Sequence, residues 1–459
     1  MTLKPKYMSK KLTVDELLEK AKKPAKLALA YHPFYEGKVQ VMPKCPIRSP
    51  YDFAIWYTPG VAASCKAIKD DPEQVFSQTS RWNYVAIVSD GTRVLGLGDI
   101  GPEAALPVME GKALLFKYLG GVDAFPICLA TKNQTDLVTA CKWLEPTFGG
   151  INLEDIAKPK CFHVLNHARE QLNIPVWHDD QQGTATVILA GLINALKLVG
   201  KSMSQAKIAM LGVGSANTRT ALVLMRAGVK AGNIVMVDRN GILHPNRTDV
   251  EAEKEENPWK WDFCLETNSE GKTGDAAEAL KGADVCIAAA KPGPGTIKKD
   301  WIRGMASDSI VFACANPIPE IWPWEAKDAG AKIVATGRSD FANQINNSLG
   351  FPAIFRGVLD VKAKTVTDEM CIAAAMELAK FAEERGIYED DIIPRMDEWE
   401  VFPREAVACA LESIKEGVAR VKLSRQELWD RATRIIKNAR ESTSLLMKKG
   451  LIPPPPEDL

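Results

Sequence analysis

From about residue 183 to residue 335 the chain alternates apolar strands with helical segments in a regular rhythm. An apolar helix is predicted over 184–199. Fully apolar strands that alternate with helices are typical of a parallel sheet covered by helices on both faces. This region is therefore predicted to be a doubly wound α/β fold of the Rossmann type. The predicted strands are Ile208–Leu211, Ile234–Asp238, Val285–Ala288, Ile310–Ala313 and Ile333–Ala335.

The flanking regions are less regular. Before residue 183 the pattern is α/β, with a helix predicted over 13–30, where Thr13 is the cap and Glu16 follows three residues later. Further predictions there are strands at Val85–Val88 and Ala124–Leu129 and a helix over Gly111–Leu119. The polar segment 246–275 is predicted to be a surface excursion. Beyond residue 350 the chain is predicted to be helical, chiefly over 371–385, 405–416 and 424–449.

Composition excludes several classes of protein. The 459 residues carry 58 Lys plus Arg and 58 Asp plus Glu, so no electrostatic attraction to nucleic acid or an anionic membrane is expected. The ten cysteines form no C-x-x-C pair, which argues against zinc sites and disulfides and favours a reducing cytoplasm. No apolar run approaches the roughly 20 residues that span a bilayer. The Lys-rich N-terminus lacks the apolar core of a signal peptide.

Two glycine motifs compete as the loop that binds a dinucleotide. The pattern G-x-G-x-x-G occurs at Gly96, Gly98 and Gly101, but Pro102 and Pro107 follow, so no long helix is expected to begin there. A pyrophosphate needs a helix N-terminus directed at it. This first copy is therefore predicted not to bind a nucleotide.

The second motif, 212–217, is a poorer match by letters but has the better context. It follows a predicted strand and precedes a helix, and Asp238 ends the next strand at the expected distance. Asp238 favours NAD, whereas Arg239 would accommodate the 2′-phosphate of NADP, so the choice stays open. Asn217 replaces the third glycine and predicts looser packing of helix on strand and weaker cofactor affinity. The alternative is an ordinary strand-turn-helix with no ligand.

Two pairs of adjacent carboxylates suggest a metal site. Glu154 and Asp155 follow Gly149-Gly150, and Asp179 and Asp180 precede an apolar helix. A set of oxygen ligands without histidine or cysteine suits a hard cation such as Mg²⁺ or Mn²⁺. The alternative for either pair is capping of a helix N-terminus, which favours negative charge.

Lys112 and Tyr57 are candidates for proton transfer. Lys112 lies at an apolar helix start, where desolvation could lower its pKa toward neutrality. The alternative is a surface lysine whose stem covers apolar groups. Tyr57 ends a predicted strand before a turn, a position where a tyrosine is more often part of the core.

Seven short motifs occur in order, and together they resemble the short-chain malic enzymes of bacteria and archaea. The similarity runs from about residue 30 to residue 440, and seven motifs in order are far more specific than any one alone. They are Y-T-P-G-V-A, V-L-G-L-G-D-I-G, M-E-G-K-A-L-L-F-K, G-G-I-N-L-E-D-I, H-D-D-Q-Q-G-T-A, A-N-P-I-P-E-I and T-G-R-S-D-F-A-N-Q-I-N-N-S-L-G-F-P.

The resemblance implies oxidative decarboxylation of L-malate. Lys112 would be the general base that takes the C2 hydroxyl proton as hydride passes to the nicotinamide. Asp179 would be the carboxylate beside that lysine. CO₂ then leaves while the metal supplies electron withdrawal. Tyr57 would be the general acid that protonates C3 to give pyruvate.

The resemblance also implies ligand contacts, residue by residue. The metal ligands are Glu154, Asp155 and Asp180. The substrate-binding residues are Arg93, which many short forms lack, and Asn316 and Asn347. The cofactor-binding residues are Gly212, Gly214, Ser215, Ala216, Asn217, Asp238, Arg239 and Asn316. Ala342 departs from the proline usual in the family, a change expected to matter little.

The same resemblance implies an organisation in domains. A catalytic domain over 1–177 would be completed by the helical part 345–459, and 178–344 would be the NAD(P)-binding domain. A homodimer is expected, with segment 1–30 and the C-terminal helices as dimer elements. The alternatives are malolactic conversion, simple oxaloacetate decarboxylation on the same scaffold, and a nucleotide-sensing module without catalysis.

Overall fold

The computed structural model describes residues 14–338 and 340–456 and contains two β-sheets. The predicted cap Thr13 lies outside these residues. In the part of the chain that the structure describes, no helix has the length and apolar character to cross a membrane. The strands are β1 Tyr84–Ser89, β2 Asp123–Cys128, β3 Gly150–Leu153, β4 Val176–His178, β5 Ile208–Leu211, β6 Ile234–Asp238, β7 Gly241–Ile242, β8 Val285–Ala288, β9 Ile310–Ala313 and β10 Ile333–Thr336.

The first sheet has the order β2-β1-β3-β4, and its strands are all parallel. The second has the order β10-β9-β8-β5-β6-β7 and is parallel except where the short β7 pairs with β6. Chain order reverses direction on either side of β5, as in doubly wound sheets that bind ligands at this switch point. The predicted α/β class with a Rossmann-type sheet is therefore confirmed.

Helices cover the sheets and fill the C-terminal part, as the sequence predicts. A π-helical turn, Asp179–Gly183, directly precedes α8. The helices are α1 Val14–Tyr35, α2 Pro50–Trp56, α3 Val61–Asp70, α4 Val75–Gln78, α5 Pro102–Gly120, α6 Gln134–Leu144, α7 Lys160–Gln171, α8 Thr184–Leu198, α9 Ser215–Arg226, α10 Thr248–Ala252, α11 Pro258–Glu266, α12 Ala276–Leu280, α13 Lys299–Arg303, α14 Pro323–Asp328, α15 Phe351–Asp360, α16 Asp368–Arg385, α17 Val401–Lys415 and α18 Arg425–Lys448.

The start of α5 corrects one prediction. The sequence indicated a helix from Gly111 and none beginning at Gly101, because Pro102 and Pro107 were weighed as helix breakers. The helix in fact begins at Pro102. Proline suits the first helical position, where its missing N–H has no intrahelical partner to lose and its fixed φ is already helical.

The contacts of Asn217 correct a second prediction. We expected it to loosen the packing of helix on strand, but it is fully buried, and its Nδ2 donates to the carbonyls of Leu211 and Gly212, both at 2.9 Å. These bonds tie the first turn of α9 to the end of β5. The side chain therefore fastens the helix to the loop in place of the close contact that a glycine would allow.

The C-terminal helices hold α5 in place. Helix α15 packs against both α5 and α17, and α18 also packs against α5. At this contact the ring of Phe116 lies 4.6 Å from that of Phe351 and 5.2 Å from that of Phe355, between centroids. Helix α5 is thus clamped between the first sheet and the C-terminal helices.

Gly120 is the position at which the clamp is tightest. A Cβ added there would lie 2.4 Å from the carbonyl oxygen of Pro352. We expect Gly120→Ala to lower the free energy of unfolding by about 1–3 kcal/mol, because α15 must move away. Gly111→Ala in the same helix meets nothing within 4 Å and should raise it by about 0.5–1 kcal/mol. Denaturant unfolding measures both, and equal effects of the two substitutions would contradict the clamp.

Candidate active site

The candidate catalytic carboxylates meet at one edge of the first sheet. Strands β3 and β4 are parallel neighbours, so the residues that follow them emerge side by side. Glu154 and Asp155 follow β3, and Asp179 and Asp180 follow β4. The two pairs, 25 residues apart in the chain, are brought together by strand order alone.

Glu154, Asp155 and Asp180 offer carboxylate oxygens within 4.8 Å of one another. Asp155 has a positive φ of 54°, and its backbone N–H donates to Asp180 Oδ2 at 2.9 Å. Glu154 and Asp155 are buried, and Asp155 Oδ2 has no hydrogen-bond partner in the described chain. Buried unpaired carboxylate oxygens are costly unless a cation binds them. The donor set therefore fits Mg²⁺ or Mn²⁺.

Lys112 reaches this cluster from α5. Its Nζ makes a short ion pair with Asp179 and lies 3.2 Å from Glu154 Oε1. The ring of Phe351 lies beneath it, with its centroid 4.6 Å from Nζ. Lys112 is thus a buried base candidate at the edge of the metal cluster, and the alternative of a surface lysine is wrong.

The prediction that burial lowers the pKa of Lys112 is also wrong. Burial does act in that direction, but the neighbouring carboxylates Asp179 and Glu154 outweigh it and hold the pKa above its ordinary value. For the carboxylates, burial itself has the largest influence on the pKa. Burial, followed by repulsion from Asp180, raises the pKa of Asp155 well above its ordinary value, and burial likewise raises that of Glu154.

The π-helical turn fixes Asp179. A Cβ on Gly183 would lie 2.0 Å from Asp179 Oδ1, so glycine is required at this close approach. The same oxygen accepts a hydrogen bond of 3.2 Å from Trp177 Nε1. π-helical turns inside helices often occur at functional sites. Helix α9 packs against this turn, so the catalytic and nucleotide regions share it.

The predicted substrate residues lie on loops around the cluster. Arg93 is exposed, and its charge partly opposes the burial that raises the pKa of Asp180. A Cβ on Gly96 would lie 2.8 Å from the carbonyl oxygen of Asn316, so the loop after β1 touches the loop after β9. Asn347 lies against Gly183. The glycine pattern at 96–101 therefore serves this contact between loops.

Tyr57 is placed differently from the other candidates. It lies between α2 and α3 and is 70% exposed. Within residues 14–338 and 340–456 its hydroxyl has no hydrogen-bond partner. The hydrogen bond and ion pairs of Lys112 are made with Asp179 and Glu154 and not with Tyr57. The expectation that a tyrosine here belongs to the core is wrong.

The predicted nucleotide loop has the required geometry. Gly212 has a φ of +94°, and a Cβ there would lie 2.6 Å from the carbonyl oxygen of Ala289. Gly214 is the N-cap of α9, and Ser215 and Ala216 form its first turn. Their N–H groups stand at a helix N-terminus, which favours a phosphate.

A cavity of about 560 Å³ opens at the end of β6, where the carbonyl of Val237, which lines it, accepts a hydrogen bond from the N–H of Gly212. Asp238 and Arg239, which were predicted to contact the ribose end of a dinucleotide, also line it. The sequence did not indicate the two cations that bond to Asp238, because Arg247 and Lys260 come from the segment predicted to be a surface excursion. No periodicity or motif in the sequence marks them.

Comparison with known proteins gives consistent matches. A family model described as the malic enzyme N-terminal domain matches residues 36–139, and one described as the malic enzyme NAD binding domain matches 181–414. The chain is 47% identical over 384 residues to an NAD-dependent malic enzyme of Geobacillus stearothermophilus, covering 84% of this chain and 78% of that protein. It is 45% identical over 408 residues to a bifunctional malic/malolactic enzyme of Bacillus subtilis, covering 89% and 97%. It superimposes on a crystal structure of malic enzyme from Entamoeba histolytica with a TM-score of 0.94 and 47% identity, covering 97% and 93% of the two chains.

Asp155→Asn tests the metal cluster by two opposite effects on stability. Asp155 has a raised pKa in the fold, so its ionisation destabilises the metal-free protein increasingly as pH rises above about 4. The metal-free variant should match wild type near pH 4 and melt higher than wild type at pH 8. Saturating Mn²⁺ should stabilise wild type at pH 8 by about 2–3 kcal/mol and the variant far less.

Asp99→Asn is the matched control, since Asp99 is an exposed carboxylate paired with Lys132 at 2.6 Å. It should leave both the melting temperature and the Mn²⁺ effect nearly unchanged. The assignment fails if Mn²⁺ stabilises Asp155→Asn as strongly as it stabilises wild type.

Proposed function

This chain belongs to the malic enzyme family, and we propose that it catalyses oxidative decarboxylation of L-malate to pyruvate and CO₂ with reduction of NAD or NADP. The observation that carries the proposal is the contact of buried Lys112 with Asp179 and Glu154 beside a three-carboxylate cluster. A candidate base, a candidate metal site and the predicted nucleotide loop then lie around the turn Asp179–Gly183. Oxaloacetate decarboxylation is expected as a partial activity.

Lys112 is the proposed base for the C2 hydroxyl proton. Asp179, held by Trp177 and by the turn at Gly183, fixes the position of Nζ. A base must first lose its proton, and the carboxylates around Nζ oppose this as long as they stay negative. Neutralisation of Glu154 by a bound cation would lower the pKa of Lys112 toward the working range.

Glu154, Asp155 and Asp180 are the proposed ligands of Mg²⁺ or Mn²⁺. Bound there, the metal would supply Lewis-acid withdrawal of electrons during decarboxylation. Arg93, Asn316 and Asn347 are proposed to bind the substrate carboxylates, and Tyr57 to protonate C3. The nucleotide is proposed to bind with its phosphates at Gly212, Gly214, Ser215, Ala216 and Asn217.

We also propose a homodimer, in which a second copy covers the N-terminal apolar surface. We give this name to the exposed side chains Val41, Tyr51, Phe53, Trp56 and Tyr57. Exposed apolar side chains concentrated in one short segment support an interaction site there. Covering the segment would also shield Tyr57 from bulk water.

Domain organisation and location are proposed on similar grounds. The two sheets support a division of the chain near residues 178 and 344, with the C-terminal helices returning to α5. The ten cysteines, all within the described residues, are free thiols, which supports a cytoplasmic location.

A second candidate is malolactic conversion, which the printed name of the Bacillus subtilis relative favours. The two reactions give different products from the same incubation. With malate, nucleotide and Mn²⁺, the proposed reaction yields pyruvate and reduced nucleotide in equal amounts. Lactate without net reduction of the nucleotide would support the second candidate instead.

Lys112→Met tests the base. We expect malate-dependent reduction of NAD or NADP to fall by about 10²–10⁴-fold, because no other amine contacts the cluster in the described chain. Lys117→Met, on the same helix but exposed and paired with Asp123, should retain activity within about twofold. Thermal melts with Mn²⁺ check that both variants fold. A Lys112→Met enzyme with more than a tenth of wild-type kcat would exclude this role.

Phe53→Asp tests the dimer. A charge in the centre of the N-terminal apolar surface should dissociate the protein to monomers in light scattering, because a buried unpaired carboxylate is costly. Its kcat should fall as Tyr57 loses its surroundings. Trp143→Asp places the same charge on an exposed ring of α6 and should leave the mass unchanged. A wild-type protein that is monomeric at micromolar concentration would contradict the proposal.

A further inference from the structure

The carboxylate of Asp238 is already engaged by three donor groups of the protein, from Asn240, Arg247 and Lys260. Oδ1 accepts from the N–H of Asn240 at 2.8 Å and from Arg247 Nη2 at 3.1 Å. Oδ2 accepts from Arg247 Nη2 at 3.0 Å and pairs with Lys260 Nζ at 2.6 Å. A carboxylate has about four acceptor positions. Because Arg247 Nη2 also donates to Asp249 Oδ2 at 2.7 Å, its contact with Asp238 is one hydrogen shared between the two oxygens. The two ribose hydroxyls that an acid at this position binds in NAD would therefore compete with three protein donors.

The two cations that engage Asp238 are fixed. Arg247 also bonds to Asp249, with Nε at 2.6 Å from Oδ1, and its Nη1 donates to the carbonyls of Gly241 and Ile242 at 3.2 Å. The Arg247 side chain is only 9% exposed. Lys260 projects from α11 and is mostly buried. A ribose would have to displace these bonds to reach Asp238, and a buried donor left unpaired is expensive.

The charge of Asp238 is neutralised by the same contacts. An acid at the end of this strand normally repels the 2′-phosphate of NADP, but here two cations lie within hydrogen-bond distance of it. The other acid on the cavity, Asp275, is engaged as the N-cap of α12 by the N–H groups of Ala277 and Glu278. Both acidic side chains of the cavity wall therefore already accept hydrogen bonds from the protein, Asp238 through both oxygens and Asp275 through Oδ1.

Arg239 is the group on this wall that stays available. It is exposed, it lines the cavity, and in the described chain its guanidinium has no hydrogen bond or ion pair. A guanidinium recognises phosphate by paired hydrogen bonds. The neighbouring backbone of Asn240 is held by its own bond to Asp238. The position next to Asp238 is thus prepared for an anion.

We propose that this cavity selects a 2′-phosphorylated dinucleotide, with Arg239 binding the phosphate and Arg247 and Lys260 acting as positioning residues that withhold Asp238 from the ribose. The inference rests on the proposed function for its physiological meaning. The enzyme accordingly uses NADP in preference to NAD. In the sequence Asp238 and Arg239 favour different cofactors. In the structure the oxygens of Asp238 are engaged by protein donors, whereas the N–H groups of Arg239 remain available to a ligand.

Binding of nucleotide fragments tests the proposal without turnover. Calorimetry should show adenosine 2′,5′-bisphosphate binding at least about tenfold more tightly than AMP, since one charged contact is added. Arg239→Ala should abolish this difference and leave AMP binding within about twofold. Arg303→Ala, a matched exposed arginine paired with Asp300, should change neither affinity. Equal binding of the two fragments by wild type overturns the proposal, even if the enzyme oxidises malate.

Lys260→Met tests the withholding of Asp238 separately. It removes one of the two cations that contact Oδ2 and restores negative charge, so the ratio of kcat/KM for NADP to that for NAD should fall by about tenfold or more. Asp238→Asn keeps an acceptor but removes the charge, and should leave the preference for NADP in place. A Lys260→Met enzyme with an unchanged ratio, while its melting temperature matches wild type, contradicts the positioning role. If malate turnover is absent in wild type but bisphosphate binding is selective, the proposed function fails and this inference stands.

Discussion

The ion pair between Lys112 and Asp179 is the interaction on which the catalytic half depends. Parallel strands deliver Glu154, Asp155, Asp179 and Asp180 to one sheet edge, where burial raises the cost of each charge. One lysine compensates two of the four directly. It does so only because α5 is long and held against α15, so the packing of the C-terminal helices sets the electrostatics of the site.

The same site contacts the predicted nucleotide region through the turn Asp179–Gly183. Asp179–Gly183 is π-helical, and the missing side chain of Gly183 makes room for the carboxylate of Asp179. Helix α9 packs on this turn, and Asn217 fastens its first residues to the end of β5. The helix start proposed to bind phosphate and the carboxylate paired with Lys112 are therefore positioned by contacts between α9 and the turn.

The sequence predicted the elements whose local pattern is strong and missed those defined by partners. The apolar strands of the second sheet were placed almost to the residue. By contrast, β3 and β4 are interrupted by the polar residues Asn152 and His178, and β7 has only two residues. The pKa of Lys112 was expected to fall because burial was visible in the pattern, while Asp179, 67 residues away, was not. The two carboxylate pairs were recognised as a candidate metal site from the sequence itself, whereas the choice of Glu154, Asp155 and Asp180 as ligands and the role of Tyr57 came from family resemblance. These roles stay predictions.

Asp238 and Arg239 show why residue identity alone does not decide a binding preference. Both are adjacent at the end of β6, and in the sequence they argue for different cofactors with equal force. What separates them is the segment between β7 and α12, which supplies Arg247 and Lys260, the two cations that engage both oxygens of Asp238. A charged side chain whose bonds are satisfied within the fold contributes shape to a pocket, and one whose bonds are free contributes recognition. By that criterion the polar excursion, which has no regular pattern of its own, determines which of the two residues selects the cofactor.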